Sequence, residues 1–156
     1  MDLECALLIP DSHRPYHDRR AYGLMIQVAQ SLKKQLTEIV ILGDYADFYS
    51  ASSHAKDPSV ISMIKDEVID VLFGLEELDQ KFPNARKVFI QGNHEFRLER
   101  YLQNQAPALF GVTDTEHILE MINRPNWKFI QYGPNQAYKI LGSKLTARHE
   151  PLASSA

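Results

Sequence analysis

Three short polar stretches of the sequence carry side chains that could do chemistry, and each follows an apolar run typical of a β-strand. The stretches are Asp11-Ser12-His13, Gly43-Asp44 and Gly92-Asn93-His94-Glu95. Their carboxylate, imidazole and amide groups bind divalent cations, and a mixed nitrogen and oxygen set without thiolate suits Mn, Fe, Zn or Ni. We therefore expect these strand ends to form one metal site.

The apolar runs before these stretches predict three β-strands joined by helices. The strands are expected at Leu3–Ile9, Ile39–Leu42 and Lys87–Gln91. The order β-α-β-α-β indicates an α/β domain with parallel strands, whose crossover connections are right-handed. Ligands of open α/β sheets bind at the carboxyl ends of the strands, so groups separated by tens of residues can meet there.

Helical spacing of apolar residues predicts the connecting helices. Asp18 is expected to cap the first helix, whose apolar positions are Ala21, Leu24, Met25, Val28, Ala29, Leu32 and Leu36. Asp57-Pro58 is expected to begin the second helix, which runs to about Phe82. A third helix is expected directly after Gly92-Asn93-His94-Glu95.

The last third of the chain predicts a short helix followed by a β-meander. The helix is expected at 114–122 with Asp114 as its cap. Trp127–Tyr132 and Ala137–Leu141 are expected to pair as antiparallel strands around a Gly-Pro-Asn-Gln turn. Lys144–Ala147 begins one more predicted strand.

Length and composition fit a single globular domain over residues 1–156. The chain has 156 residues, of which 24% are charged, and a formal net charge of −3. That charge gives no general attraction to nucleic acid or anionic membranes, although it leaves a local basic patch open. Cys5 is the only cysteine, and the first apolar run is too short for a signal peptide or a membrane span. We expect a cytoplasmic protein without a membrane partner.

Taken together, Asp11-x-His13, Gly43-Asp44-x-x-Asp47 and Gly92-Asn93-His94-Glu95 resemble the first three signatures of the calcineurin-like metallophosphoesterases. The order and spacing of the motifs fit that family, and the similarity runs from residue 5 to residue 150. The sequence is most similar to the small phage and bacterial members. The resemblance implies a β-sandwich flanked by helices, in α-β-β-α layers. It also implies hydrolysis of a phosphomonoester or a phosphodiester.

The resemblance also assigns metal ligands. It implies that Asp11 and His13 bind a first metal, that Asp44 bridges two metals, that Asn93 binds the second, and that His149 is the next metal ligand. The expected cofactors are two divalent cations, with Mn as the first choice and Fe, Zn or Ni as alternatives. Two cations about 3.5–4 Å apart would clamp a phosphoryl oxygen and generate a bridging hydroxide that attacks phosphorus.

Two further residues are expected to serve catalysis. His94 directly follows a metal ligand, so its ring could protonate the leaving oxygen or stabilise charge in the transition state. The resemblance implies that Asp47 is a carboxylate that orients His94 or a neighbouring loop.

The sequence departs from the family pattern near its end. His149 is followed by Glu150 where the family usually has glycine, and the closing Gly-His-x-His signature does not occur in the seven residues after His149. We therefore expect a truncated member with an incomplete second sheet and weakened occupancy of both metal sites. The exposed sheet edge would favour self-association. The competing hypothesis is a non-catalytic binding or scaffold protein with an incomplete metal site.

The sequence leaves the substrate open between a monoester, a diester and a nucleic acid. Arg14, Arg97 and Arg100 could hold a substrate phosphate, but Arg97 and Arg100 also fit surface pairs on a helix. Tyr45, and with it Phe48 and Tyr49, could stack on an aromatic leaving group or be buried beside the site.

Overall fold

A four-stranded parallel sheet forms the centre of the fold. The computed structural model describes residues 4–57, 59 and 63–149. In the order in which they lie side by side, the strands are β1 (Cys5–Ile9), β2 (Leu36–Ile41), β3 (Arg86–Ile90) and β4 (Trp127–Ile130). A second, antiparallel sheet consists of β5 (Tyr138–Lys139) and β6 (Thr146–Ala147).

Helices connect the strands of the parallel sheet. They are α1 (Arg19–Ser31), α2 (Ile64–Lys81), α3 (Phe96–Gln105) and α4 (Thr115–Ile118). Short 3₁₀ turns lie at Tyr49–Ala51, Pro107–Leu109, Met121–Asn123 and Ile140–Gly142. Because the strands follow one another in sequence order, right-handed crossovers place the helices on one face of the sheet. In the described part of the chain, none of the helices is long and apolar enough to cross a bilayer.

Side-chain alternation along β2 and β3 produces two separate cores. Ile39, Ile41 and Phe89 face the helices and pack with their buried apolar residues. Val40, Val88 and Ile90 point to the opposite face, toward the small sheet. There they form a second core with Tyr138, Ile140 and Ala147. The α/β class is therefore confirmed, with a helical layer on one face of the main sheet and a two-stranded sheet on the other.

The predicted β-meander is wrong in its pairing. Trp127–Tyr132 does not pair with Ala137–Leu141, because β4 joins β3 in parallel and β5 pairs with β6 instead. The predicted turn does form, since the Gln136 N–H donates to the carbonyl of Gly133 at 3.0 Å. The cause lies in the core, where Trp127 and Phe129 pack on the helical side and thereby extend the parallel sheet.

The helix predictions were correct at the Asp18 cap but wrong at the start of the second helix. The Asp18 carboxylate accepts hydrogen bonds from the first turn of α1, as predicted, but the helix ends at Ser31 and Leu36 already belongs to β2. The predicted helix start at Asp57-Pro58 is wrong, since α2 begins at Ile64. The Asp57 side chain instead closes a local turn by accepting from Ser59, while Pro58 lies outside the described residues.

The cap of the short helix and the burial of the apolar residues of α1 can be compared with the predictions. The predicted cap of the short helix is confirmed, because Asp114 accepts from the His117 N–H at the start of α4. Four of the apolar residues that predicted α1 are exposed, namely Ala21, Leu24, Val28 and Leu32.

A buried carboxylate attaches the small sheet to the main one. Glu38 of β2 has no exposed surface and lies on the face covered by β5 and β6. It accepts hydrogen bonds from the Tyr138 hydroxyl and the Leu141 N–H, both at 2.9 Å, and it forms an ion pair with Arg86. The small sheet therefore has a polar attachment in addition to its apolar core.

We predict that Glu38→Ala lowers the free energy of unfolding by about 3 kcal/mol, because the buried Tyr138 hydroxyl and the part-buried Leu141 N–H lose their acceptor and Arg86 loses its ion-pair partner. Urea unfolding followed by circular dichroism would measure the change. Glu76→Ala is the matched control, since the Glu76 carboxylate is exposed and its contact is with Gln80 one helical turn away. Equal stability of the two variants would contradict the anchoring role.

Candidate metal centre

The loops after β1 and β2 run side by side and continue the pairing of the strands. The Asp11 N–H donates to the Gly43 carbonyl at 3.3 Å, and the His13 N–H donates to the Asp44 carbonyl at 2.8 Å. Asp11, His13 and Asp44 have φ angles of 41°, 50° and 50°, in the left-handed region that non-glycine residues seldom adopt. Backbone hydrogen bonds therefore hold the three residues in a backbone conformation that costs energy, as is common at functional sites.

Glu95 joins the loop after β3 to the loop after β2. Its carboxylate is fully buried and accepts hydrogen bonds from the N–H groups of Asp44 (3.0 Å), Ala46 (2.7 Å) and Gly92 (2.8 Å). Burial raises the pKa of Glu95 to about 7, and the nearby Asp44 charge adds to the rise. The backbone donors of Ala46 and Gly92 partly offset it.

Two glycines allow these loops to approach one another. A Cβ atom on Gly92 would lie 2.2 Å from Asp44 Oδ1, which is too close for any side chain. A Cβ atom on Gly43 would lie 2.4 Å from His149 Nδ1, and the Gly43 φ of +90° itself disfavours other residues. The glycines of both predicted motifs are thus required by close contacts with Asp44 and His149.

The Asp44 carboxylate lies at the centre of the cluster. Its Oδ1 accepts from the His94 N–H at 2.9 Å and lies 3.4 Å from His149 Nε2. Its Oδ2 lies 4.0 Å from His13 Nε2 and 3.8 Å from His94 Nε2. Burial opposes ionisation of Asp44, but the contacts with His149 and His94 outweigh it, so the pKa is lowered. The two oxygens of one carboxylate therefore face two different groups of donors.

Ligand atoms of Asp11, His13 and Asp44 all lie within 4.8 Å of one another, so this group could hold a metal ion. A second set of donors meets at the other oxygen of Asp44. Asn93 Oδ1 lies 2.8 Å from His149 Nε2, which in turn lies 3.4 Å from Asp44 Oδ1. Donor atoms about 2.1 Å from one cation are separated by similar distances, so both sets fit a cation in composition and spacing.

Both ring nitrogens of His149 face oxygen atoms. Nδ1 lies 2.8 Å from the Leu42 carbonyl and Nε2 lies 2.8 Å from Asn93 Oδ1, so each nitrogen is placed to donate a proton. The contact with Asp44 raises the pKa of His149 to about 9; burial opposes this rise and the Leu42 carbonyl adds to it. The imidazole is therefore protonated at neutral pH in the metal-free protein.

Asp47 contacts the Nδ1 side of two imidazoles. Its Oδ2 accepts from His13 Nδ1 at 3.0 Å and lies 3.3 Å from His94 Nδ1. The two rings pack edge to face, with centroids 4.4 Å apart. Burial opposes ionisation of Asp47, but contacts with His94, His13 and Arg97 outweigh it and lower its pKa. This carboxylate therefore turns Nε2 of both histidines toward Asp44. Asp47, His13 and His94 also form a group whose spacing could hold a metal ion.

Of the arginines considered from the sequence, Arg97 belongs to the site and Arg14 does not. The Arg97 Nη2 donates to His94 Nε2 at 2.7 Å, and its Nη1 donates to the Asp47 carbonyl at 3.1 Å. Arg14 is buried against the rings of Tyr22 and Tyr45 and forms an ion pair with Asp70 at 2.9 Å. It is thus oriented by the core and not toward a substrate phosphate.

The structure also gives the positions of the aromatic residues considered above and of two further histidines. Tyr45 and Phe48 are fully buried, which agrees with the buried alternative for these aromatic residues. His54 and His117 are exposed. The role of Glu95 in joining two loops was not predicted from the sequence, where its position directly after His94 is the signal that could have suggested it.

A scan against models of known protein families matches none of them, and a search of curated protein sequences also finds no match. The geometry of the site is therefore the basis for a functional assignment.

We predict that Glu95→Gln weakens metal binding by at least about tenfold, because an amide NH₂ would face backbone N–H groups that now donate to a carboxylate. Isothermal titration calorimetry with Mn²⁺ would measure the affinity. Glu99→Gln is the matched control, since Glu99 is also buried but accepts from Gln91 and Thr115 and not from the N–H groups of Asp44, Ala46 and Gly92. Equal losses in the two variants would contradict the specific role of Glu95.

We also predict that affinity for a cation at Asp44, Asn93 and His149 rises by about tenfold for each pH unit from about pH 7 toward pH 9. The reason is that His149, with its pKa raised to about 9, must release its proton before Nε2 can bind a cation. Titration calorimetry in buffers of different ionisation enthalpy would report affinity and proton release together. A His149→Ala variant should lose the pH dependence, and an unchanged slope in this variant would refute the assignment.

Proposed function

We propose that the chain is a metallophosphoesterase of the calcineurin-like type, which hydrolyses a phosphomonoester or phosphodiester with two divalent cations, Mn²⁺ being the first candidate. The observation that carries the proposal is the meeting of the donor groups at the carboxyl ends of β1, β2 and β3 around the Asp44 carboxylate. In the same proposal, the four-stranded sheet and the small sheet are the two sheets of the family's sandwich.

The donor groups divide naturally into two metal sites. Asp11 and His13 would hold one cation, Asn93 and His149 would hold the other, and the two oxygens of Asp44 would serve both. When bound, the cations would supply positive charge at a phosphoryl oxygen and lower the pKa of a water molecule to near neutrality. The chemistry of the donors supports this assignment, because carboxylate, amide and imidazole are ligands that Mn²⁺ accepts.

In this proposal His94 would move a proton to the leaving oxygen. Its Nδ1 side lies against the Asp47 carboxylate, which would stabilise the imidazolium form, and its Nε2 side points toward Asp44. A positioned imidazole of this kind commonly contributes about 10²–10⁴ to the rate of proton transfer. Asp47 would thus orient the catalytic histidine without contacting the substrate.

Arg97 occupies the His94 nitrogen that would carry the transferred proton. In the structure His94 Nε2 accepts a hydrogen bond from Arg97, so the imidazole is neutral. Arg97 must turn away from Nε2 before His94 can take up the proton that it would donate. A substrate phosphate next to His94 would offer the guanidinium a stronger, charge-assisted partner than a neutral imidazole.

We predict that the wild-type chain cleaves p-nitrophenyl phosphate or bis(p-nitrophenyl) phosphate in the presence of Mn²⁺, and that His94→Ala lowers kcat by about 10²-fold or more. Release of p-nitrophenol would be followed by absorbance. His54→Ala is the matched control, because its ring is exposed in a loop and its backbone N–H makes the contact with Ser52.

Metal content per chain should be measured for both histidine variants, so that loss of rate in His94→Ala is separated from loss of metal. If the wild-type chain cleaves neither ester faster than His94→Ala does, the proposal of catalysis fails. Bound metal without turnover would then favour the alternative of a non-catalytic binding protein on this fold.

A further inference from the structure

A cleft of about 460 Å³ opens beside the candidate metal centre, between α3 and the loop at 51–53. Its volume lies within the range of pockets that bind small ligands. The wall formed by α3 is polar and carries Arg97, Arg100, Tyr101, Asn104 and Gln105.

The spacing of these residues explains why they share one wall. Positions three, four and seven apart lie on the same side of a helix, which places Arg100, Tyr101 and Asn104 in line with Arg97. The opposite side of α3 is buried and includes Leu98 and Leu102. The cleft wall is therefore a continuous stripe of hydrogen-bonding and cationic side chains.

The charge of the cleft is positive. Glu99 is the acidic residue of this helix, and its carboxylate faces the protein interior, where Gln91 donates to it at 2.6 Å and the Thr115 hydroxyl at 3.0 Å. Among the described residues that line the cleft, none carries a carboxylate. Arg100 makes no ion pair with any described residue, and its guanidinium lies over the Phe96 ring at 5.9 Å. The cleft therefore offers a positive charge that an anion could neutralise.

Arg97 connects the cleft to the metal centre. Its guanidinium forms part of the cleft wall while contacting His94 Nε2, the Asp47 carbonyl and, at 3.4 Å, the Asp47 carboxylate. Tyr101 is 50% exposed, so a large part of its ring is open to a planar ligand. A ligand in the cleft would thus meet a cation near the reacting phosphate, a second cation one turn further along, and an exposed aromatic ring.

We propose that this cleft binds a nucleotide unit of the substrate, with a phosphate on Arg97 and Arg100 and the base against Tyr101. Arginine side chains bind phosphate through paired hydrogen bonds, and aromatic side chains stack on bases of any sequence. The amides of Asn104 and Gln105 can donate to and accept from the edge of a base. The inference rests on the proposed function and narrows its substrate to a phosphoester of a nucleotide.

The test compares thymidine 3′,5′-bisphosphate with inorganic phosphate as ligands of the full chain in the presence of Mn²⁺. Isothermal titration calorimetry should show that the wild-type chain binds the bisphosphate at least about tenfold more tightly than phosphate. Arg100→Gln and Tyr101→Ala should each lower the ratio of the two affinities by about tenfold, whereas Tyr101→Phe should preserve it because the ring remains. Arg20→Ala is the matched control, since Arg20 is an exposed arginine on α1.

The outcomes separate this inference from the proposal of catalysis. The same titrations in a His94→Ala background measure binding while the proposed turnover is slowed by about 10²-fold or more. A chain that binds the bisphosphate selectively but cleaves no ester would therefore retain the cleft assignment and lose the catalytic one. A bisphosphate that binds no more tightly than phosphate would overturn the cleft assignment. The same conclusion would follow if folded Arg100→Gln and Arg100→Ala variants, judged by circular dichroism, kept the wild-type ratio.

Discussion

The candidate site depends on the buried carboxylate of Glu95. Three backbone N–H groups, from Asp44, Ala46 and Gly92, donate to it, and they belong to loops that follow two different strands. Without this acceptor the buried N–H groups would be unpaired, and the hydrogen bond from the His94 N–H to Asp44 would remain as a polar connection between the two loops. The arrangement costs stability, because burial raises the pKa of Glu95 to about 7 and so disfavours the charged form that accepts these bonds best.

Once Glu95 joins the loops, their close approach determines where the Asp44 carboxylate and the His149 ring lie. Gly43 and Gly92 leave room that a Cβ atom would fill, and the Asp44 carboxylate and the His149 ring occupy it. Asp44 is then held from its backbone by Glu95 and at its side chain by the His94 N–H and the His149 ring. A carboxylate fixed at both ends has little freedom to rotate, and this suits a ligand that must serve two cations at once.

The positions of the candidate ligands Asp11, Asp44 and Asn93 could be predicted from the sequence because each follows a strand of the parallel sheet. Topology alone then brings residues such as Asp11 and Asn93 to one edge. The role of Glu95 could not be predicted, since a buried carboxylate at the start of a helix has the same sequence pattern as an exposed one. The partner of Trp127–Ile130 was missed for a similar reason: local alternation predicts a strand, but its neighbour is chosen by the packing of Trp127 and Phe129 in the helical core.

Helix α3 links chemistry to substrate choice in the proposed function. Glu95, which positions the loops, directly precedes the helix, and His94, which would move the proton, precedes Glu95. One turn later, Arg97 contacts both the histidine and the cleft. A phosphate bound in the cleft would draw the Arg97 guanidinium away from His94 Nε2 and thereby free that nitrogen to take up a proton. Occupation of the cleft would then favour the active state of the histidine, so a substrate that fills the cleft would react faster, and not only bind more tightly, than one that does not.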